Sequence, residues 1–358
     1  MRERLLQALL WFLERPSVTG EEGLLCDDLE ARISKVPGWK TERFSNNLVV
    51  RRAEPDGSSA RILLAGHLDT VPEPEGGLPV RVEGERIYGR GASDMKAGDA
   101  VMLALLEDFP WENSRTEPAF VFYEREEGPY PENGLEVAFA ESSSVLDADL
   151  ALCMEPTAGA LEVGCVGTAQ IEVTFRGRPA HSARPWQGEN PLTAAGEFLV
   201  ELHEREVEEV VVEGLTFYEV LVPTMAHGGR AKNVVPDTFR INVNYRFAPG
   251  KDQDDVCRVF EELLKGRADY VVADYAPSAP VELDNPLLQR LIETGLEVRP
   301  KQAWTDVARF AQRGVAAANF GPGLPSQAHQ EAEFAELPLL EGCYEHLRSF
   351  LVHDQMTG

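Results

Sequence analysis

The sequence predicts an α/β protein, a mainly parallel sheet flanked by helices, into which a smaller α+β domain is inserted. Three observations point there. Apolar, strand-like runs at RILLAGH (61–67), AFVFYER (119–125) and ADLALCM (148–154) alternate with helical spacing, as in MKAGDAVMLALLED (95–108); that rhythm builds a parallel sheet covered on both faces. The middle of the chain differs, because AQIEVTFRGR (169–178) and DTFRINVNYRF (237–247) alternate apolar and polar residues, as strands with one buried face do. Finally, 358 residues exceed one ordinary core and suit two domains.

Taken in order, the first element is an amphipathic helix. Leu5, Leu6, Leu9, Leu10 and Leu13 have helical spacing, while Gln7 and Glu14 interrupt any signal-peptide pattern. The three apolar runs follow, and each ends in polar residues: His67 and Asp69, then Glu126 and Glu127, then Glu155. In open sheets of this kind ligands bind beyond the carboxyl ends of the strands, so these residues become site candidates from position alone. In the middle region helical patterns near 190–205 and 252–265 and further strands at 216–224 and 269–275 complete a β-α-β-β-α-β order. That order is a split-βαβ, ferredoxin-like unit, placed at 169–283. Residues 1–168 and 284–358 then form the larger domain, with LLQRLIETGL as a helix and VAAANF (315–320) as a returning strand. The acidic stretch EREVEEVVVE (204–213) reads as a solvated surface segment.

Bulk properties exclude several functions. The net charge of −26 repels nucleic acid and anionic membranes, and no run of about 18 apolar residues offers a membrane span. Five cysteines without a CxxC pair suit a reducing, cytoplasmic setting; Cys153 and Cys165, in apolar stretches, read as core. GxSxG and HExxH are absent, and GRGASD (89–94) is neither a GxGxxG nor a P-loop.

What remains is a set of His, Asp and Glu residues in turns: GHLDTVP (66–72), GRGASDMKAG (89–98), REEGP (125–129), MEPT (154–157) and GLPSQAHQ (323–330). Each alone has an ordinary surface explanation; their conjunction at strand ends and glycine turns carries the argument. In this order the motifs resemble the two-zinc exopeptidase and deacylase family, which includes aminoacylases, acetylornithine deacetylase, glutamate carboxypeptidase and succinyl-diaminopimelate desuccinylase. RPAHSARP (178–185), KNVVPD (232–237), NYRFAPG (244–250), WTDVARF (304–310) and NFGPG (319–323) extend the resemblance over nearly the whole chain.

The resemblance implies a zinc-exopeptidase-like catalytic domain with an inserted lid and dimerisation domain, and two zinc ions per subunit, with cobalt a possible substitute. His67, Asp94 and Glu155 would bind one ion, and Asp94, Glu127 and His329 the other, with Asp94 bridging. Carboxylate and imidazole ligands without cysteine suit a catalytic rather than a closed structural site. Asp69 would orient the His67 imidazole. Glu126 would act as general base toward water and then return the proton to the leaving amine; Glu124, outside the motif, receives no role. His181 would reach the partner subunit's active site and stabilise the tetrahedral oxyanion, implying a homodimer through the inserted domain. One departure stands out: after His329 the sequence runs HQEAE, with Glu331 and Glu333, where the family often has Asp-Glu or Asn-Glu.

GLTFYEVLVPT, AHSARPWQGEN and WTDVARF more narrowly resemble the actinobacterial-type desuccinylase branch. This implies a small anionic N-acyl amino acid, N-succinyl-LL-2,6-diaminopimelate, as substrate. Arg184, Arg230 and Arg246, with Asn233, are the candidate carboxylate binders. The alternatives are another amidohydrolase of the family (acetylornithine deacetylase, aminoacylase or dipeptidase) and a non-catalytic protein that retains the metals.

Overall fold

A computed structural model describes residues 1–55 and 60–352. The chain divides into two compact units. The larger comprises Met1–Val163, Glu282–Arg299 and Arg309–Gly358; the smaller comprises Gly164–Val281 and Pro300–Ala308.

The larger unit is built on an eight-stranded sheet. Its centre is parallel. Strand Ala60–His67 lies between Thr116–Tyr123 and Leu150–Cys153, and Ala317–Asn319 pairs in parallel with Leu150–Cys153. These strands are nearly continuous apolar runs because both faces are covered. Helix Ala97–Asp108 packs on the sheet with every residue from Ala97 to Leu106 buried. The edges differ from a purely parallel reading. Trp39–Phe44 and Asn47–Arg52 form an antiparallel hairpin against Thr116–Tyr123, and Leu161–Val163 runs antiparallel to Ala317–Asn319. The first helix, Arg2–Leu13, buries Leu5, Ala8, Leu9, Phe12 and Leu13. Cys153 and Cys165 are buried, as expected for core residues. Among the described residues no helix is long and apolar enough to cross a membrane.

Register explains why the polar ends gather. His67 is level with Tyr123, and Ala65 is level with Cys153. Three parallel strands therefore end together, and the residues that follow them, 124–127 and 155, leave from one end of the sheet.

The smaller unit is a five-stranded antiparallel sheet in the order Glu208–Val212, Leu215–Gly228, Thr238–Phe247, Gly167–Arg176, Asp269–Ala276. Without its first edge strand this is the order of a split-βαβ unit. Helix Gln253–Leu264 opens on a capping box of Asp252 and Asp255 and buries Val256, Phe260 and Leu264 at four-residue intervals. These side chains pack with Phe198 and Leu202 over Ile171, Val173, Phe175, Ile241 and Val243.

Two expectations are corrected. The acidic stretch at 204–213 is not merely a solvated segment: Glu208–Val212 is an edge strand. Val210 and Val212 pack against Phe217 while Glu208 and Glu209 stay exposed, so alternation outweighs charge. Residues 300–308 group with the smaller unit, not the larger. The Gln302 amide accepts from Tyr218 N at 3.0 Å and donates to Tyr218 O at 2.6 Å, copying a strand's own pairing, and Trp304 Nε1 donates to Pro277 O at 3.0 Å.

Candidate metal centre

Five side chains from five separate strand ends and turns converge in the larger unit. His67, Asp94 and Glu155 form one group whose ligand atoms lie within 4.8 Å of one another; Asp94, Glu127 and His329 form another. Asp94 stands between them. Its Oδ1 is 3.4 Å from His67 Nε2, and its Oδ2 is 3.4 Å from His329 Nε2. His329 Nε2 also lies 2.8 Å from Glu127 Oε1. His67, Glu126 and Glu127 form a third such group, so Glu126 sits beside both others.

Local backbone places these groups. Asp94 lies in the turn 89–96 between strand Arg86–Tyr88 and the buried helix, with non-helical φ −121° and ψ 93°. Arg125 and His329 adopt φ of 60° and 62°, the left-handed region that costs a side-chain-bearing residue on the order of 1–3 kcal/mol. Arg125 is held there by its N–H donating to Glu22 Oε1 at 3.3 Å. At Gly321 a Cβ would come within 2.2 Å of Met154 O and 2.4 Å of Glu155 O; only glycine lets this segment close on the Glu155 turn.

Asp69 does more than the sequence suggested. His67 Nδ1 lies 3.0 Å from the Asp69 carbonyl oxygen and 3.5 Å from its carboxylate. A carbonyl only accepts, so Nδ1 carries a proton, and Nε2, on the Asp94 side, is the nitrogen that would give its lone pair to a metal once deprotonated. The Asp69 carboxylate itself accepts from Glu126 N at 2.9 Å, Glu127 N at 3.1 Å and the Thr19 hydroxyl at 2.9 Å. One carboxylate thus ties the His67 strand to the turn that carries Glu126 and Glu127. Glu124 points elsewhere, accepting from Asn46 Nδ2 at 2.8 Å.

The electrostatics are those of a cation site. Burial opposes charge on His67, but the Asp69 and Asp94 carboxylates outweigh it and hold its pKa well above the ordinary value. Asp94 and Glu127 raise His329 to about 10. Burial works against the Asp94 carboxylate, yet His329 and His67 hold its pKa below the usual range. Carboxylates that bind protons so firmly at two imidazoles would equally hold metal cations there. The fit with a metal pair is supported by His67 Nε2, which is buried with no hydrogen-bond partner. Burial without a hydrogen bond is costly for such a nitrogen, and a metal ion would supply the missing interaction.

The remaining sequence candidates lie in the smaller unit. His181 pairs with Val234 on a two-residue ladder, and Ser182 N donates to Asn233 O at 2.9 Å. Arg184 N donates to His181 O at 2.8 Å, so His181, Arg184 and Asn233 are neighbours, all exposed. Ala183 N donates to His181 Nδ1 at 3.0 Å, which leaves Nε2 as the protonated nitrogen. Arg230 is ion-paired with Asp237. Arg246 stands apart on strand Thr238–Phe247; its Nε donates to Asn244 Oδ1 at 3.0 Å, and it makes no ion pair among the described residues. Sequence reading missed one residue of the centre: Glu333, buried beside Asp94, was noted only as a departure from pattern.

The fold and the centre define a metal-dependent hydrolase class, and the comparisons agree: the chain belongs to peptidase family M20/M25/M40, whose model matches residues 63–353. A Mycobacterium tuberculosis protein named a succinyl-diaminopimelate desuccinylase is 37% identical over 342 residues, covering 95% of each chain. The Corynebacterium glutamicum succinyl-diaminopimelate desuccinylase is 38% identical over 327 residues, covering 89% of this chain and 88% of that one. Among solved structures, an aminopeptidase from Bacillus cereus superposes with a TM-score of 0.80 at 18% identity, covering 98% of both chains. A dinuclear metal-binding peptidase of the M20 family from Bacillus subtilis gives 0.69 at 16% identity, again covering 98% of both. Likeness at that identity speaks for the fold.

Proposed function

We propose that this protein hydrolyses N-succinyl-LL-2,6-diaminopimelate to succinate and LL-2,6-diaminopimelate, with two zinc ions held by His67, Asp94 and Glu155 and by Asp94, Glu127 and His329. Cobalt would substitute for zinc, since the donor set is nitrogen and oxygen only. The observation that carries the reading is Asp94, which offers one carboxylate oxygen to each of two histidines. The desuccinylase relatives, matching nearly end to end, supply the substrate.

When bound, the metal pair would supply Lewis acidity for the amide carbonyl and lower the pKa of the attacking water. The chain's own residues do the rest. Glu126, its backbone fixed by Asp69, accepts a proton from the water and delivers it to the leaving nitrogen. Asp69 keeps the His67 proton on Nδ1. His181, with its proton on Nε2, donates to the oxyanion of the tetrahedral intermediate, in a homodimer formed through the smaller unit that serves as lid. Arg246, half-buried and without an ion pair among the described residues, is the chief candidate carboxylate binder, with Arg184 and Asn233 as further donors. Arg230 would have to exchange Asp237 for the substrate.

The test is a substrate panel on metal-replete protein: N-succinyl-diaminopimelate, N-acetylornithine and dipeptides. The succinyl substrate should be turned over with the highest kcat/KM, and preference for either other class would replace the substrate assignment. In parallel, Glu126→Gln should keep its metal and lose about 10²–10⁴-fold in kcat. Near-native turnover would remove Glu126 from the mechanism.

A further inference from the structure

One densely hydrogen-bonded buried carboxylate near the centre belongs to a residue with no catalytic assignment. Glu333 is 1% exposed. Its Oε2 accepts from Arg90 Nη1 at 2.8 Å and Gly91 N at 2.9 Å; its Oε1 accepts from Ser93 N at 2.9 Å and Asp94 N at 3.0 Å. Three amides of one turn wrap a single carboxylate, a backbone nest for an anion. The contact is reinforced on both sides. Gly89 N donates to Glu333 O at 3.2 Å, the Ser93 hydroxyl donates to Phe334 O at 2.7 Å, and Arg90 Nη1 also reaches Gln330 O at 3.2 Å.

Two features make this more than packing. Glu333 lies four residues after His329, and its carboxylate takes the N–H of Asp94 itself. It therefore ties the segment that carries one histidine to the turn that carries the shared carboxylate. Gly91 takes φ +79°, and a Cβ there would lie 2.5 Å from Thr70 Cγ2, so the nest needs glycine at this position. Asp69 performs the matching task on the other side, joining His67 to Glu126 and Glu127.

We infer that Glu333 is a positioning residue that sets the distance between Asp94 and His329 and so governs metal affinity of the Asp94–Glu127–His329 pocket. The inference rests on the two-metal reading above. Glu333→Gln replaces one acceptor oxygen by an NH2 group facing N–H donors, with little change in shape. Carboxylates that hold ligands from behind are worth about 10–100-fold in metal affinity, and the loss should fall on one of two binding steps.

The experiment is a stepwise titration of metal-free protein with Zn2+ or Co2+, read by calorimetry and, for Co2+, by its visible absorption. Wild type should bind two equivalents. Glu333→Gln, with a native circular dichroism spectrum, should bind one equivalent normally and the other about 10–100-fold more weakly, with an altered Co2+ band. Glu331→Gln, at an exposed neighbour, should match wild type. Two unchanged steps in Glu333→Gln overturn the inference; fewer than two equivalents in wild type overturn the two-metal reading instead. If Glu333→Gln does not fold, Arg90→Lys, which leaves the amide nest intact, should weaken the same step about threefold, and an unchanged step there overturns the inference too.

Discussion

At the scale of single residues, the centre trades protons for cations. Without metal, His329 holds its proton up to about pH 10 because Asp94 and Glu127 face it, and His67 is raised as well. Both pKa values lie above the unfolded histidine value of about 6.5. The stabilisation they give the metal-free protein is complete below that value and is lost as pH rises toward the folded pKa. A metal ion must displace these protons. Zinc binding at pH 7 should therefore release protons, seen as a calorimetric enthalpy that changes with the ionisation enthalpy of the buffer, and affinity should rise with pH up to about 10. A buffer-independent enthalpy would mean that the two imidazoles do not lie in the binding site. The same scale shows what the sequence reveals and what it hides. His67, Glu127 and Glu155 drew notice by their place after apolar runs, whereas Asp94 and His329 were marked only by motifs that resemble the family's. The ties of Asp69 to Glu126 and Glu127 and of Glu333 to the 91–94 turn were hidden, because those partners are backbone amides, which leave no mark in a sequence.

At the scale of elements, the parallel strands were legible from their apolar runs, and their shared register turns three separate strand ends into one site. The antiparallel hairpin at 39–52 and the edge strand at 161–163 were not read, since short edge strands lack a continuous apolar signature. The edge strand at 208–212 was masked by its glutamates. Close approach between elements is also a matter of backbone. Gly321→Ala would push a methyl group onto the carbonyls of Met154 and Glu155, and overpacking of this kind costs about 1–3 kcal/mol. Denaturant unfolding should register that loss, and metal affinity at the His67–Asp94–Glu155 pocket should fall with it. Gly342→Ala, in helix Leu337–Val352 with nothing near the new Cβ, should instead gain about 0.4–1 kcal/mol. Equal effects from the two substitutions would show that the Gly321 contact is not a tight one.

At the scale of the whole molecule, the net charge of −26 opposes an anionic substrate, so capture falls to a few fixed donors. The oxyanion donor assigned to His181 sits on the smaller unit and, in the proposed homodimer, would serve the partner's active site. That arrangement can be tested by mixing two inactive proteins. Glu126→Ala lacks the base and His181→Ala lacks the donor, yet a mixed dimer would hold one active site with both residues intact and one with neither. Random reassociation of equal amounts makes half the dimers mixed, each with one of two sites active. Recovered activity should approach about one quarter of wild type, with metal content unchanged in both variants. If His181 served its own subunit, every site in the mixture would lack one residue and mixing would restore nothing. A monomeric protein in sedimentation, active at full rate, would remove the shared site altogether.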